Sequence, residues 1–184
     1  MRNHPSALMD TTSLARSATA WCAVLLLGLA PLFAATDLYV ETAIDSNGQL
    51  RIATKRHRDV VPKLEVRQVA FYDAHISVDG RAVGWLALFP DPSTSEPIPF
   101  KLVILVLGER HAFTGNSFPF LRWRFWAEGK QVAFEQQTEH GGAAGHYELH
   151  DIESGDLIDK YDPDADPESV TKPPRWVVAL DARR

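Results

Sequence analysis

Beyond residue 35 this chain alternates apolar and polar side chains with the two-residue period of half-buried strands. Leu38–Ile44 and Gln49–Thr54 are β-leaning runs around Asp45-Ser46-Asn47-Gly48, whose Asn-Gly end suits a tight hairpin. Leu64 to Tyr72 alternates and predicts a half-buried strand, with Leu64, Val66 and Gln68 on one face and Glu65, Arg67 and Val69 on the other. Phe100–Leu107 is almost unbroken and reads as a central strand buried on both faces, ended by Gly108. In Phe120–Trp126 alternation places Leu121, Trp123 and Phe125 on one face and Arg122, Arg124 and Trp126 on the other. His146–Ile152 is a further strand, Glu153–Asp156 a turn into Leu157-Ile158, and Arg175–Leu180 a last strand.

The intervening stretches are punctuation. Lys55–Asp59 is a charged connector, Phe89–Pro99 a proline-rich loop, His111–Pro119 irregular, and Gly141–Gly145 a flexible connection. No helical period of useful length follows residue 35, so the expected fold is nearly all-β.

The pattern also repeats. Ile76–Trp85 aligns without a gap on Phe125–Phe134, with Gly80 and Gly129 lying 49 positions apart. Each copy is an apolar approach, an acidic-Gly-basic turn, and a run of small and aromatic residues, the signature of a hairpin. Trp85 and Phe134 hold equivalent places and are expected in the core. Tyr147-Glu148-Leu149 matches Leu102-Val103-Ile104 at an offset of 45, the difference falling in the loop between. The copies run near 66–113 and 115–158.

These hairpins resemble the blade repeat of secreted WD-like propellers of the TolB type. There a Ser-Pro-Asp-Gly-Lys/Arg turn precedes Val-Ala-Phe; here stand Ser77-Val78-Asp79-Gly80-Arg81 with Val83-Gly84-Trp85, and Ala127-Glu128-Gly129-Lys130 with Val132-Ala133-Phe134. Asp151 to Gly155 matches the turn that ends a later blade strand. Val78 and Ala127 replace the usual proline, and Trp126 replaces the serine. The resemblance implies two to three antiparallel blade-like sheets, whereas closed propellers begin at about four blades. The chain is then an open stack, a small β-sandwich, or a ring completed by another copy. Open sheet edges invite a protein partner or self-association.

Trp21–Ala35 is a short apolar run preceded by Arg2 and Arg16 and ending in small residues. It reads as a secretory signal peptide cleaved after Ala34 or Ala35, with an uncleaved membrane anchor as the alternative. Residues 36–184 then form an all-β domain that is secreted or periplasmic. The one cysteine, Cys22, lies inside this run, which excludes disulfides, cysteine zinc sites and cysteine nucleophiles from the remainder. Composition is ordinary for a globular chain, at 45% hydrophobic and 23% charged residues. A formal charge of −5 and the lack of any basic run argue against nucleic acid as a partner.

Three constellations could carry chemistry. His140 and His146 would face each other across a hairpin with Glu139 nearby, a zinc-compatible set. His150, four strand residues from His146, stands ~13 Å away and cannot share that ion. Asp162, Asp164 and Asp166 alternate as calcium-loop ligands do, but Pro163 and Pro167 stiffen the tract and the turn glycine is missing, so a solvated acidic linker is preferred. Trp126 between Arg122 and Arg124 could form a binding face, since such residues dominate recognition hot spots. No nucleophile elbow, His-Glu-x-x-His helix, phosphate loop or dinucleotide fingerprint is present. The expected function is a non-catalytic binding or interaction module. The alternative is a small metal-dependent hydrolase built on His140 and His146.

Overall fold

A computed structural model describes residues 38–114, 118–137, 145–163 and 172–182. The proposed signal segment lies outside them. Ten strands and one short helix follow in order: β1 (Tyr39–Ile44), β2 (Leu50–Thr54), β3 (Ala70–Ile76), β4 (Ala82–Phe89), β5 (Ile98–Val106), β6 (Glu109–Thr114), β7 (Phe120–Trp126), β8 (Gln131–Gln136), β9 (His146–Asp151), β10 (Leu157–Tyr161) and α1 (Arg175–Asp181). They form three antiparallel sheets, β1-β2, β3-β4-β5-β6 and β7-β8-β9-β10, each a simple meander. The expected all-β architecture of two to three blade-like sheets is what the chain adopts.

Local chemistry explains the hairpins. Asp45 accepts the N–H groups of Asn47 (2.8 Å) and Gln49 (3.0 Å), fixing the β1–β2 turn. In the β3–β4 turn Ser77 Oγ lies 2.6 Å from Asp79 Oδ1 and accepts the N–H of Ala82 at 2.9 Å. In the β7–β8 turn Ala127, Glu128 and Gly129 all take positive φ, closing it as a short 3-10 turn. The two turns differ, yet the strands leaving them pair in the same register next to the turn, and diverge only where the bulges of β3 and β7 fall at different residues. Ile76 faces Val83 as Phe125 faces Val132, and Gly84 faces Ile104 as Ala133 faces Leu149. The internal repeat is therefore a repeat of register.

Packing repeats as well. Val83, Trp85 and Val103 turn one face of the β3–β6 sheet toward Tyr39, Leu50 and Ile52 of the β1–β2 hairpin. Their counterparts Val132 and Phe134 turn the same face of the β7–β10 sheet toward Leu86, Leu102 and Ile104 on the other face of β3–β6. Each four-stranded sheet thus backs onto the layer before it. Ala133 and Leu149 face outward beyond the last sheet and are covered by Trp176, Val177 and Leu180 of α1. The order of layers is hairpin, sheet, sheet, helix.

Four details differ from the sequence expectations. The stretch before β3 is loop: strand begins only at Ala70, after a turn in which Arg67 has φ 70° and the buried Gln68 side chain accepts the N–H of Glu65 at 3.1 Å. His111 to Thr114 belongs to β6, joined to β5 by the two-residue turn Leu107-Gly108, both at positive φ. Arg175–Asp181 is helical, because Pro174 starts it and Trp176, Val177 and Leu180 share one helical face. A bulge between Phe120 and Arg122 puts Phe120 in the core and leaves Leu121 54% exposed, so Leu121 does not join Trp123 and Phe125.

Candidate functional site

The face of β7 that carries Arg122, Arg124 and Trp126 is turned toward α1. Arg122 and Glu135 are cross-strand neighbours, and Tyr147 is the next residue in the same row. Nε and Nη2 of Arg122 both donate to Oε2 of Glu135 at 2.5 Å, while Nη1 reaches Oδ1 of Asp181 at 2.6 Å. Tyr147 donates its hydroxyl to Oε1 of Glu135 at 3.0 Å. Glu135 is 2% exposed, a fully buried carboxylate held by one guanidinium and one phenol. Burial first, and then the adjacent carboxylate charge, push the Tyr147 phenol up to about 12. Arg124 donates to the carbonyl of Ala179 in α1, and Trp126 packs on the cluster beneath that helix. The three predicted binding residues are thus brought together on one face, where they fasten the last layer. Arg122 and Arg124 also line a recess of about 400 Å³, with Asp73, Trp123 and Asp181.

Glu135 is the residue that the sequence reading passed over. It occupies the place of Leu86 in the first copy, 49 positions earlier, and Leu86 is buried against the next sheet. The aligned repeat carried that signal: an apolar contact position had become acidic. The glycine stretch read as a flexible connection also bears on it, since a Cβ at Gly145 would stand 2.6 Å from Glu135 Oε1.

On the opposite face of the same sheet, β9 sets out His146, Glu148 and His150 in a row. Glu148 accepts from Nε2 of His146 at 2.8 Å and from Nε2 of His150 at 2.7 Å. Asp162 lies against Nδ1 of His146, and the carbonyl of Gly155 is 3.1 Å from Nδ1 of His150. His150 stacks on Phe134 at 5.4 Å and 14°. Burial works against charge on His146, but its hydrogen bonds to the Glu148 and Asp162 carboxylates outweigh it and hold its pKa above the ordinary range. Hydrogen bonding to His150, working against burial and joined by His146, keeps Glu148 below the ordinary carboxylate range. The histidines therefore share a carboxylate between them. His140 and Glu139 of the predicted zinc set, and Asp164 and Asp166 of the predicted calcium set, lie outside the described residues. Among the described residues no group of three or more His, Asp or Glu side chains is arranged to hold a metal ion.

A second surface was not anticipated. The loop before β3 leaves Val61, Leu64, Val66 and Val69 exposed, Val66 at 89%. It borders a recess of about 270 Å³ that Val60, Pro62 and Lys63 of the loop line together with Phe71, Trp85, Leu105 and Arg110 of the β3–β6 sheet. The sequence alternation here was real but did not report burial, because Gln68, rather than Val66 or Val69, is the residue that turns inward.

No family model matches this chain, and no curated protein matches it either.

Proposed function

We propose that this chain is a non-catalytic binding module, secreted or periplasmic, whose partner meets it at the loop before β3. The observation that supports this reading is the run of exposed apolar side chains Val61, Leu64, Val66 and Val69 beside an open recess. Four apolar side chains clustered within nine residues of one loop mark a contact surface more strongly than single exposed residues scattered over a fold. The ionisable clusters, in contrast, are engaged with one another. Arg122 serves Glu135 and Asp181, Lys101 and Arg110 serve Glu65, and Glu148 serves two histidines.

The test is site-specific photocrosslinking in producing cells, with benzoylphenylalanine at position 66 or, as a control, at position 78. Val78 is equally exposed, at 91%, but sits in the β3–β4 turn. The expected result is an adduct of defined mass from position 66 and none from position 78. No adduct at 66, or the same adducts from both, overturns the reading.

A further inference from the structure

We infer that the recess beside the β1–β2 hairpin binds a small apolar carboxylate, an aromatic or cyclic acid. Val60, Pro62, Phe71, Trp85 and Leu105 give the recess an apolar floor and walls. Phe71 and Trp85 meet edge to face, with centroids 6.2 Å apart and ring planes at 66°, which leaves a rigid aromatic corner. Lys63 and Arg110 are the two charged residues among those that line it, and both are cationic.

Lys63 and Arg110 make the charged part of the lining positive, although Arg110 is shared with a carboxylate. That carboxylate is Glu65, which Lys101 also bridges, so that one anion stands between two cations and Lys63 adds a third positive charge. Glu65 itself stays ionised: burial opposes its charge, but hydrogen bonds from Lys101 and Arg110 hold its pKa below the ordinary range. An anion placed at Arg110 and Lys63 completes the balance, and the bound ligand needs an apolar body to fill the space behind it.

Trp85 is 3% exposed and lines the recess with Phe71, so a flat aromatic or cyclic body has a ring surface to lie against. Carboxylate oxygens on that body suit the two cations of the lining, Lys63 and Arg110.

The experiment is a titration of the isotope-labelled protein with 2-naphthoate and with the uncharged 2-naphthamide, followed through the Trp85 indole N–H resonance. Naphthoate is expected to shift that resonance saturably and to bind about fivefold or more tightly than the amide, the difference being one charge-assisted contact. Arg110→Gln is expected to reduce naphthoate affinity by a similar factor and leave the amide unchanged, while Lys101 keeps Glu65 paired. Equal binding of the two probes, an unaffected Arg110→Gln variant, or a Trp85 resonance that does not move overturns the inference. The loop is read out separately by crosslinking at position 66, so failure of either reading leaves the other distinguishable.

Discussion

Glu135 shows how one side chain can end an array. In the first copy Leu86 sits at this place and joins the core between the two four-stranded sheets. In the second copy the carboxylate is just as buried, at 2%, but it demands Arg122 and Tyr147 around it. A further sheet could not lie on that face without stripping water from Arg122 as well, and terminal repeats of stacked proteins are polar on the outside for this reason. Removing the partner should be worse than removing the charge. Arg122→Ala strands the Glu135 carboxylate with only the Tyr147 hydroxyl and is expected to cost about 3 kcal/mol in urea denaturation. Glu135→Leu removes the buried charge together with its need for a partner and is expected to cost about 1 kcal/mol or less. Equal losses in the two variants would show that the buried charge does not govern stability here.

At the scale of elements the sharpest test lies in α1. A strand over Arg175–Leu180 would bury Trp176, Val178 and Leu180 together, whereas the helix buries Trp176, Val177 and Leu180 and leaves Val178 50% exposed. Val177→Asp is therefore expected to destabilise the protein by about 3 kcal/mol, from a charge left in the apolar contact with Ala133 and Leu149. Val178→Asp should stay within about 0.5 kcal/mol, as exposed substitutions do. Thermal melts of the two variants decide it, and the reverse order would restore the strand.

The same element shows what the sequence could and could not disclose. Hairpin turns and strand register were legible because both are local: Asp45 to Gly48 and the two acidic-Gly-basic turns carry their own geometry. The helix was not, because in a run as apolar as Trp176–Leu180 either period fits, and the deciding cue was Pro174 at its start. Strand β6 escaped because an edge strand with Glu109, Arg110, Ala112 and Thr114 exposed has no apolar face to alternate with. Of the site, the Arg122, Arg124 and Trp126 face was readable from alternation alone. The recess was not, since it joins segments around Val60, Phe71, Trp85 and Leu105 that only packing brings together.

For the whole molecule, the contact that sets the spacing between sheets is Trp123 over Gly84. A Cβ at Gly84 would come within 2.6 Å of Trp123 Cη2 and of Ile104 Cδ1, so the absence of a side chain is what lets the two sheets close. Its repeat partner Ala133 carries a methyl without difficulty, because it faces α1 and not another sheet. Gly84→Ala is thus expected to destabilise by about 2 kcal/mol through overpacking, even though alanine suits a strand better than glycine. The comparison is Ala133→Gly, expected to lose about 1 kcal/mol by the ordinary penalty for a flexible residue. Calorimetry that found Gly84→Ala neutral or stabilising would mean that the sheets do not meet through Trp123.

The repeated register has a consequence for how such a chain can grow. Because each sheet presents its rear to the one before and its front to the one after, the middle of the stack is a module with matching ends. The hairpin and the Glu135-bearing sheet act as bookends, and neither fixes how many modules stand between them. An extra copy of residues 70–114 spliced in before β7 would turn toward β7–β10 the face that its original turns there now, and toward its original the face that in the original meets the hairpin. The number of sheets between those two layers is then open to being counted in whole units.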